Sequence, residues 1–261
     1  MKNLLVANVR KKDKRYKFEK IEILVKAQIE NSIEVGWKSS NIILLANFDY
    51  EFMGVKATNI SLNEFCFTGS KTFAVEWLFD NKIVDGPVWA HDLDAWQNVW
   101  FDCPEFMDVG ATFYSRPKFN GGSVFWRPSA IDIMKEAVRV INEKSENKEE
   151  PTLNKLFKSD KYKDRVTILN ESYNVGCSGF VPRYNRSIKP IRVCHFHPYN
   201  RIAWETHTLD RNGIDEIPVT RRLENLLRRY YPKLATELQP DGKAKADNLR
   251  KIRLKKLREE Q

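Results

Sequence analysis

Only four of the 261 residues are cysteine (Cys66, Cys103, Cys177 and Cys194), widely spaced and with no C-x-x-C pair. That scarcity argues against a disulfide framework or a structural zinc site and fits a reduced, intracellular setting. Nor is there any run of about 18 apolar residues, the length a membrane-spanning helix needs. The opening MKNLLVANVRKK places its charges after a short apolar run, the reverse of a secretory signal. These absences lead to the expectation of a cytoplasmic protein with no transmembrane segment. Acidic charge is also in short supply: 44 Lys and Arg face 35 Asp and Glu, for a net charge of +9. The excess is uneven. Residues 10–20 hold seven basic against two acidic residues, and residues 219–261 hold thirteen against six, so the body between is slightly acidic. Basic segments of this kind are either solvated ends or grips for phosphate-bearing partners. An apolar content of 42% with seven Trp is enough for a substantial core.

The chain begins as strand, helix, strand. Residues 2–9 read as a buried strand. Residues 17–35 read as an amphipathic helix, with Phe18, Ile21, Leu24, Val25, Gln28, Ile29 and Ile33 at helical spacing, and Gly36 as its C-terminal cap. Residues 41–46 read as a second strand, parallel to the first through a right-handed crossover. A helix is expected within residues 61–79, followed by an apolar strand ending at the aspartate pair, Asp92 and Asp94. Further on, the two glycines of FNGGSVFW read as a tight turn feeding a short aromatic strand. A helix is expected over 131–141 with Ser129 as N-cap, another from Pro151 with that proline at its first position, a strand over 166–169, and a final strand ending at His195 and His197.

The informative stretch is VDGPVWAHDLDAWQNVWF, residues 84–101. Asp92 and Asp94 are two apart, so on an extended strand both carboxylates share one face while Leu93 turns to the core. Such a pair repels itself unless a cation intervenes. A hard divalent ion such as Mg²⁺ or Mn²⁺ takes a few protein oxygens and leaves positions for water and substrate phosphates. His195 and His197 share a strand face by the same spacing. Asp94 with Asp92 and one of these imidazoles forms a sensible Mn²⁺ donor set, with Arg201 beyond it to balance a diphosphate. In open α/β sheets ligands gather at the carboxyl ends of strands, where Asn8, Asn47 and the aspartates would all lie.

The succession of a strand–basic loop–helix–strand unit, HDLDAW, FNGGSVFW, EEPTLN, LNESYNVGC and CHFHPYNRIAW resembles the GT-A-fold glycosyltransferases, most of all the glycogenin and galactosyltransferase-like group, over roughly residues 2–205. The resemblance implies an α/β, Rossmann-like, mixed but mainly parallel sheet flanked by helices. It implies a nucleotide-sugar-binding catalytic domain over 1–210, leaving 211–261 as a basic helical extension. It implies transfer of a sugar from a nucleoside diphosphate, uridine diphosphate in the closest-looking group, with Mn²⁺ or Mg²⁺ as cofactor. Asp92 and Asp94 resemble the metal-binding pair, and His195, with His197 beside it, the metal-ligating histidine. Arg201 falls where the family has a diphosphate-contacting lysine. Ala7 and Asn8 match the nucleotide strand loosely, and Asn47 ends the neighbouring strand. Asn120 and Gly121 resemble the segment under the sugar, and Glu149 or Glu150 the acid near the transferred sugar or acceptor. The chain departs from the family pattern at His197-Pro198 and Ala203-Trp204.

The acceptor has to be read from the basic segments. Residues 219–236 form a basic amphipathic helix with Leu223, Leu226, Leu227 and Tyr230 on one stripe, and 243–258 a second basic helix. A grip on nucleic-acid phosphates through 10–20 and 219–258 makes DNA the expected acceptor. The target would be the hydroxyl of a hydroxymethylated base such as 5-hydroxymethylcytosine, as in bacteriophage DNA-modifying glycosyltransferases. Trp96, Trp100, Tyr184 and Tyr199 are the aromatics offered for stacking on an extruded base. The alternatives are transfer to a glycan or lipid-linked saccharide at an anionic membrane, and a non-catalytic nucleic-acid-binding α/β protein. The last explains the charge but not carboxylates and imidazoles placed at strand ends.

Overall fold

The computed structural model describes residues 1–10, 17–62, 69–115, 118–143, 148–176, 184–196 and 219–231. The first strand is β1 (Lys2–Ala7). Its consecutive apolar residues divide between two cores: Leu4 packs with the cluster on one face of the sheet and Leu5 with the cluster on the other. A strand buried on both faces is what a sheet between two helical layers requires. After α1 (Phe18–Glu34) the chain returns through β2 (Ile42–Ala46), parallel to β1. Gly36, just past α1, has φ of +116°, the left-handed cap its position predicts.

The hairpin β3 (Glu51–Phe52) and β4 (Val55–Asn59) forms one edge of the sheet. Then come α2 (Ser70–Asp80) and β5 (Val88–His91), which lies parallel to β1 on the side away from β2. The short β6 (Ala95–Gln97) leaves this sheet. β7 (Val109–Ser115) and β8 (Lys118–Trp126) return antiparallel beside β5. After α3 (Ile131–Glu143) and α4 (Glu149–Phe157), β9 (Val166–Ile168) closes the far edge parallel to β7. The eight-stranded order is β3-β4-β2-β1-β5-β8-β7-β9. It is mixed, mainly parallel and flanked by helices, as expected. A second sheet joins β10 (Val175–Gly176), β11 (Val193–His195) and β6, with β11 antiparallel to β6.

The structure corrects several local expectations. The aspartates are not on the strand: β5 stops at His91, and a turn closed by the Ala95 amide donating to the Asp92 carbonyl (2.9 Å) carries both. The two glycines are not a turn but lie inside the nine-residue β8, whose register against β7 shifts between Ala111 and Thr112. Ser129 does not cap α3. It sits in a 3₁₀ turn, and its hydroxyl bonds Asp108. Pro151 is the third residue of α4 rather than the first. Trp96 is fully buried and Tyr184 nearly so, and Trp100 packs edge-on against Trp37, so the first two are core residues rather than stacking platforms. His197, Tyr199, Arg201 and the segment 243–258 lie outside the described residues.

The basic helix is α5 (Arg221–Tyr230), capped by Thr220, whose side chain accepts from the Leu223 amide. Leu223, Leu226 and Leu227 are fully buried in a cluster with Leu24 and Ala27 of α1, Trp96 and Phe196. Arg222 and Arg229 pair with Glu34, Arg229 also with Glu30, and the Tyr230 hydroxyl donates to Glu30 (2.5 Å). The described helix is therefore seated on α1 by both apolar and charged contacts. Leu226→Ala should lower the free energy of unfolding by about 2–5 kcal/mol, the range for emptying a buried leucine site. A loosely attached helix would lose under about 0.5 kcal/mol. Urea midpoints at constant slope distinguish the two.

Candidate active site

A cavity of about 600 Å³ opens at the carboxyl ends of β1 and β5. Its walls include Asn8, Lys71, Asp92, Asp94, Asn120 and His195, together with the start of α4. The parallel pairing of β1 with β2 and β5 puts those strand ends together, as anticipated. His195 arrives from far along the chain because β11 pairs with β6, with His195 opposite Ala95 and the Phe196 amide donating to the Asp94 carbonyl (2.9 Å). The result is a three-residue group, Asp92, Asp94 and His195, whose donor atoms all lie within 4.8 Å of one another. His195 Nε2 is 3.3 Å from Asp94 Oδ1 and 3.6 Å from Asp92 Oδ2. Neighbouring donors on an octahedral ion with bonds of about 2.1 Å stand roughly 3 Å apart, so this set needs little adjustment to share one ion. Burial lowers the basicity of His195, but the Asp94 carboxylate, helped by Asp92, outweighs it and leaves the pKa raised.

The turn carrying the aspartates is held from behind. His91, stacked on Trp89, is within hydrogen-bond reach of the Asp92 carbonyl through Nδ1 (3.0 Å) and of Asn3 through Nε2 (2.9 Å). Its burial pushes the imidazole down to about 4, so it is neutral at ordinary pH. Gln28 of α1 donates to the carbonyls of Leu93 and Ala95. The polar residue on the α1 stripe thus braces the turn.

Lys71, on α2, was not singled out in the sequence. It is one lysine among many, and only the packing of α2 against the sheet turns it inward. Its ammonium donates to Asp92 Oδ1 and to the Gly121 carbonyl, each at 2.5 Å, and lies 3.5 Å from Glu149. Burial opposes its charge, yet Asp92 and Glu149 raise its pKa above the ordinary value. Glu149 is itself buried, which pushes its carboxyl up to about 7 even with Lys71 beside it; Asp92 adds to the rise. Two acids thus share one cation.

Of the other sequence-picked residues, Asn8, Asn120, Gly121 and Glu150 line the cavity. Glu150 is exposed, with Oε2 3.4 Å from the Gly121 amide. Ala7 is fully buried in β1, and Asn47 ties strand ends together, donating to Asn8 Oδ1 and the Val9 carbonyl. In sequence Gly122 reads only as part of a turn, yet a Cβ there would lie 2.1 Å from His195 Cε1, so only glycine lets the imidazole rest against β8. Asn174, which contacts both Asn120 and His195, was also missed; within LNESYNVGC it looks like any loop asparagine.

No family model matches the chain, and no curated protein matches it in sequence. Solved structures do match. The galactosyltransferase LgtC, in complex with donor and acceptor sugar analogues, superposes with a TM-score of 0.55 at 14% identity, over 88% of this chain and 96% of that one. The glycosyltransferase GlyE of Streptococcus pneumoniae gives 0.52 at 15% identity, over 89% of this chain and 64% of that one. The bifunctional glycosyltransferase WbbM gives 0.51 at 14% identity, over 76% and 46%. The chain therefore has the GT-A fold.

Removing Lys71 tests the charge balance. Lys71→Met should cost about 3 kcal/mol, the lower end for stripping one partner from a buried pair, because Asp92 keeps some water. Adding Glu149→Gln should recover a good part of that loss. Strictly additive effects in a denaturation cycle would show the two are not coupled.

Proposed function

We propose that the protein is a metal-dependent glycosyltransferase that moves a sugar from a nucleoside diphosphate sugar to an acceptor hydroxyl. The observation that carries the reading is the convergence of Asp92, Asp94 and His195 on one point in a cavity at strand carboxyl ends, in a fold shared with glycosyltransferases. Asp92, Asp94 and His195 are the residues that would hold Mn²⁺ or Mg²⁺. Two carboxylates with one imidazole suit either ion, and their excess negative charge favours a cation between them. When bound, the ion neutralises charge building on the diphosphate leaving group.

The residues of the chain itself do the rest. The Lys71 ammonium, held beside Asp92, adds fixed positive charge at the same wall, where leaving-group charge develops in a partly dry site. Asn120 and the Gly121 amide offer polar contacts to sugar hydroxyls. Glu150, exposed at the mouth, is placed to stabilise positive character at the anomeric carbon or to orient the acceptor. Glu149 instead balances Lys71. This division favours Glu150 over Glu149 as the acid near the sugar or acceptor. Asn8, at the end of β1, lines the part of the wall assigned to the nucleotide. His197 and Arg201 complete the proposed donor site in the sequence reading, His197 beside the metal and Arg201 at the diphosphate.

For the acceptor, a hydroxymethylated base in DNA draws its support from the net charge of +9 and the basic segments 10–20 and 219–258. Helix α5 adds little to it, since Arg222 and Arg229 are engaged with Glu30 and Glu34, and Arg228 with Glu224. A glycan acceptor accords better with that helix.

With Mn²⁺ present, the protein should slowly hydrolyse a nucleoside diphosphate sugar in the absence of acceptor. A chelator should stop the reaction and added Mn²⁺ restore it. Asp94→Asn should lower the rate by roughly a hundredfold or more with an unchanged circular dichroism spectrum. Full activity of that variant in chelator would overturn the metal role. A panel of labelled sugar nucleotides against hydroxymethylated DNA, plain DNA and oligosaccharides decides the acceptor. Transfer to DNA should fall steeply with salt, whereas transfer to a neutral glycan should not.

A further inference from the structure

Three hydrogen-bonding groups lie in series behind His195, and their donor and acceptor roles follow from the one group that has no choice. The Gly122 amide is a backbone donor. It meets the Asn120 side chain at 2.8 Å, so the Asn120 atom it meets is the carbonyl oxygen. The same oxygen sits 2.6 Å from Asn174, so Asn174 must present its amide nitrogen there. That leaves the Asn174 carbonyl oxygen facing His195 Nδ1 at 3.1 Å. A carbonyl oxygen only accepts, so Nδ1 carries the hydrogen. In the neutral ring Nε2 then has its lone pair exposed, and Nε2 is the atom directed at Asp92 and Asp94. Asn174 is fully buried, and Gly122 and Asn120 are buried, so these groups have one another as partners.

The Gly122 peptide serves both sides of the site. Its carbonyl accepts from the Asp92 amide (3.0 Å), its amide starts the series toward His195, and its missing side chain makes room for the imidazole.

We propose that Asn174 is a positioning residue which, through Asn120 and the Gly122 amide, locks His195 in the Nδ1–H tautomer and delivers Nε2 to the metal. The proposal rests on the metal-site reading above and deepens it. The partner of a ligating imidazole's other nitrogen fixes ring orientation and tautomer and is worth about ten- to a hundredfold in metal affinity. Asn120 also contacts Glu150, with Nδ2 3.5 Å from Oε2, so the series ends at the acid assigned to the sugar.

The test uses the full chain, labelled with ¹⁵N at its four histidines. Long-range ¹H–¹⁵N correlation spectra, recorded at a pH where the imidazole is neutral and assigned with His195→Gln, report the tautomer directly. The wild-type protein should show Nδ1–H. Asn174→Ala should give a tautomer mixture and weaken Mn²⁺ binding, measured calorimetrically, by about ten- to a hundredfold. Asn120→Asp, whose carboxylate still accepts from both Gly122 and Asn174, should keep the tautomer. A wild-type spectrum with Nε2–H overturns the proposal without any variant. So does an Asn174→Ala protein with unchanged tautomer and unchanged Mn²⁺ affinity. If the wild type shows Nδ1–H but binds no Mn²⁺, the metal reading fails while the hydrogen-bond lock stands.

Discussion

Carboxylates crowded into one cavity repel one another, and most of the site can be understood as the response to that repulsion. Asp92, Asp94, Glu149 and Glu150 all border the same space. The protein supplies one buried ammonium, Lys71, and one imidazole, His195, to offset them. Lys71 touches Asp92 and Glu149, while His195 touches Asp92 and Asp94. Asp92 is the shared member: the ammonium meets its Oδ1 and the imidazole faces its Oδ2. Among the described residues lining the cavity, Lys71 and Lys148 face four carboxyl groups, so acids are in excess. In the proposed donor site, a divalent ion with a diphosphate would complete this pocket better than either alone, since the ion would satisfy the carboxylates and the phosphates the ion.

Topology turns that charge arrangement into a fixed geometry. β5 ends at His91, and the chain turns at once into β6, which pairs with a strand from near the end of the described fold. The second sheet contains few residues, yet it is the device that brings His195 to the aspartate turn. The backbone of β8 passes on the other side, giving its Gly122 carbonyl to Asp92 and leaving a space without a Cβ for the His195 ring. The aspartate turn is thus clamped from three directions: by β8, by β11, and by Gln28 of α1 behind it. A loop between two strands would ordinarily be adaptable. Here its carbonyls are engaged at Asp92, Leu93, Asp94 and Ala95, so the ligand oxygens are presented by a rigid frame.

How much of this is legible in the sequence depends on the range of the interaction. Periodicity finds β1, α1 and β2 to within a residue or two, because each is dictated by burial along a single segment. The aspartate pair and His195 are visible because acidic and imidazole groups beside apolar strands are chemically costly and so conspicuous. The strand-face argument picked aspartates that do converge with His195, but by a wrong route, since a turn rather than a strand brings them together. Gly121 and Gly122 were read as a turn because two adjacent glycines usually make one. Their use inside β8 is set by a ring from a remote strand, and no local signal records it. Lys71 and Asn174 share that limit. Each is an ordinary polar residue until tertiary packing removes it from water and gives it a charged or ring-nitrogen neighbour.

The same distinction bears on the basic C-terminal region. Positive charge in a sequence suggests a phosphate-bearing partner, but charge alone does not say whether it faces outward. In α5 the answer is divided by face. Arg222 reaches across α1 to Asn31 and Glu34 and also donates to the carbonyls of Gln97 and Asn98, so it stitches the helix to the segment that follows β6. Arg229 closes on Glu30 and Glu34. These contacts satisfy acids on α1 that would otherwise face solvent, while Leu223, Leu226 and Leu227 cover Leu24 and Ala27 beneath. The charges of Arg222 and Arg229 therefore serve the packing of the fold. Leu24 itself borders the cavity, so seating α5 steadies the side of α1 whose Gln28 braces the aspartate turn. A helix that looks in sequence like an appendage for binding a polyanion is, over residues 221–230, part of what holds the site in shape.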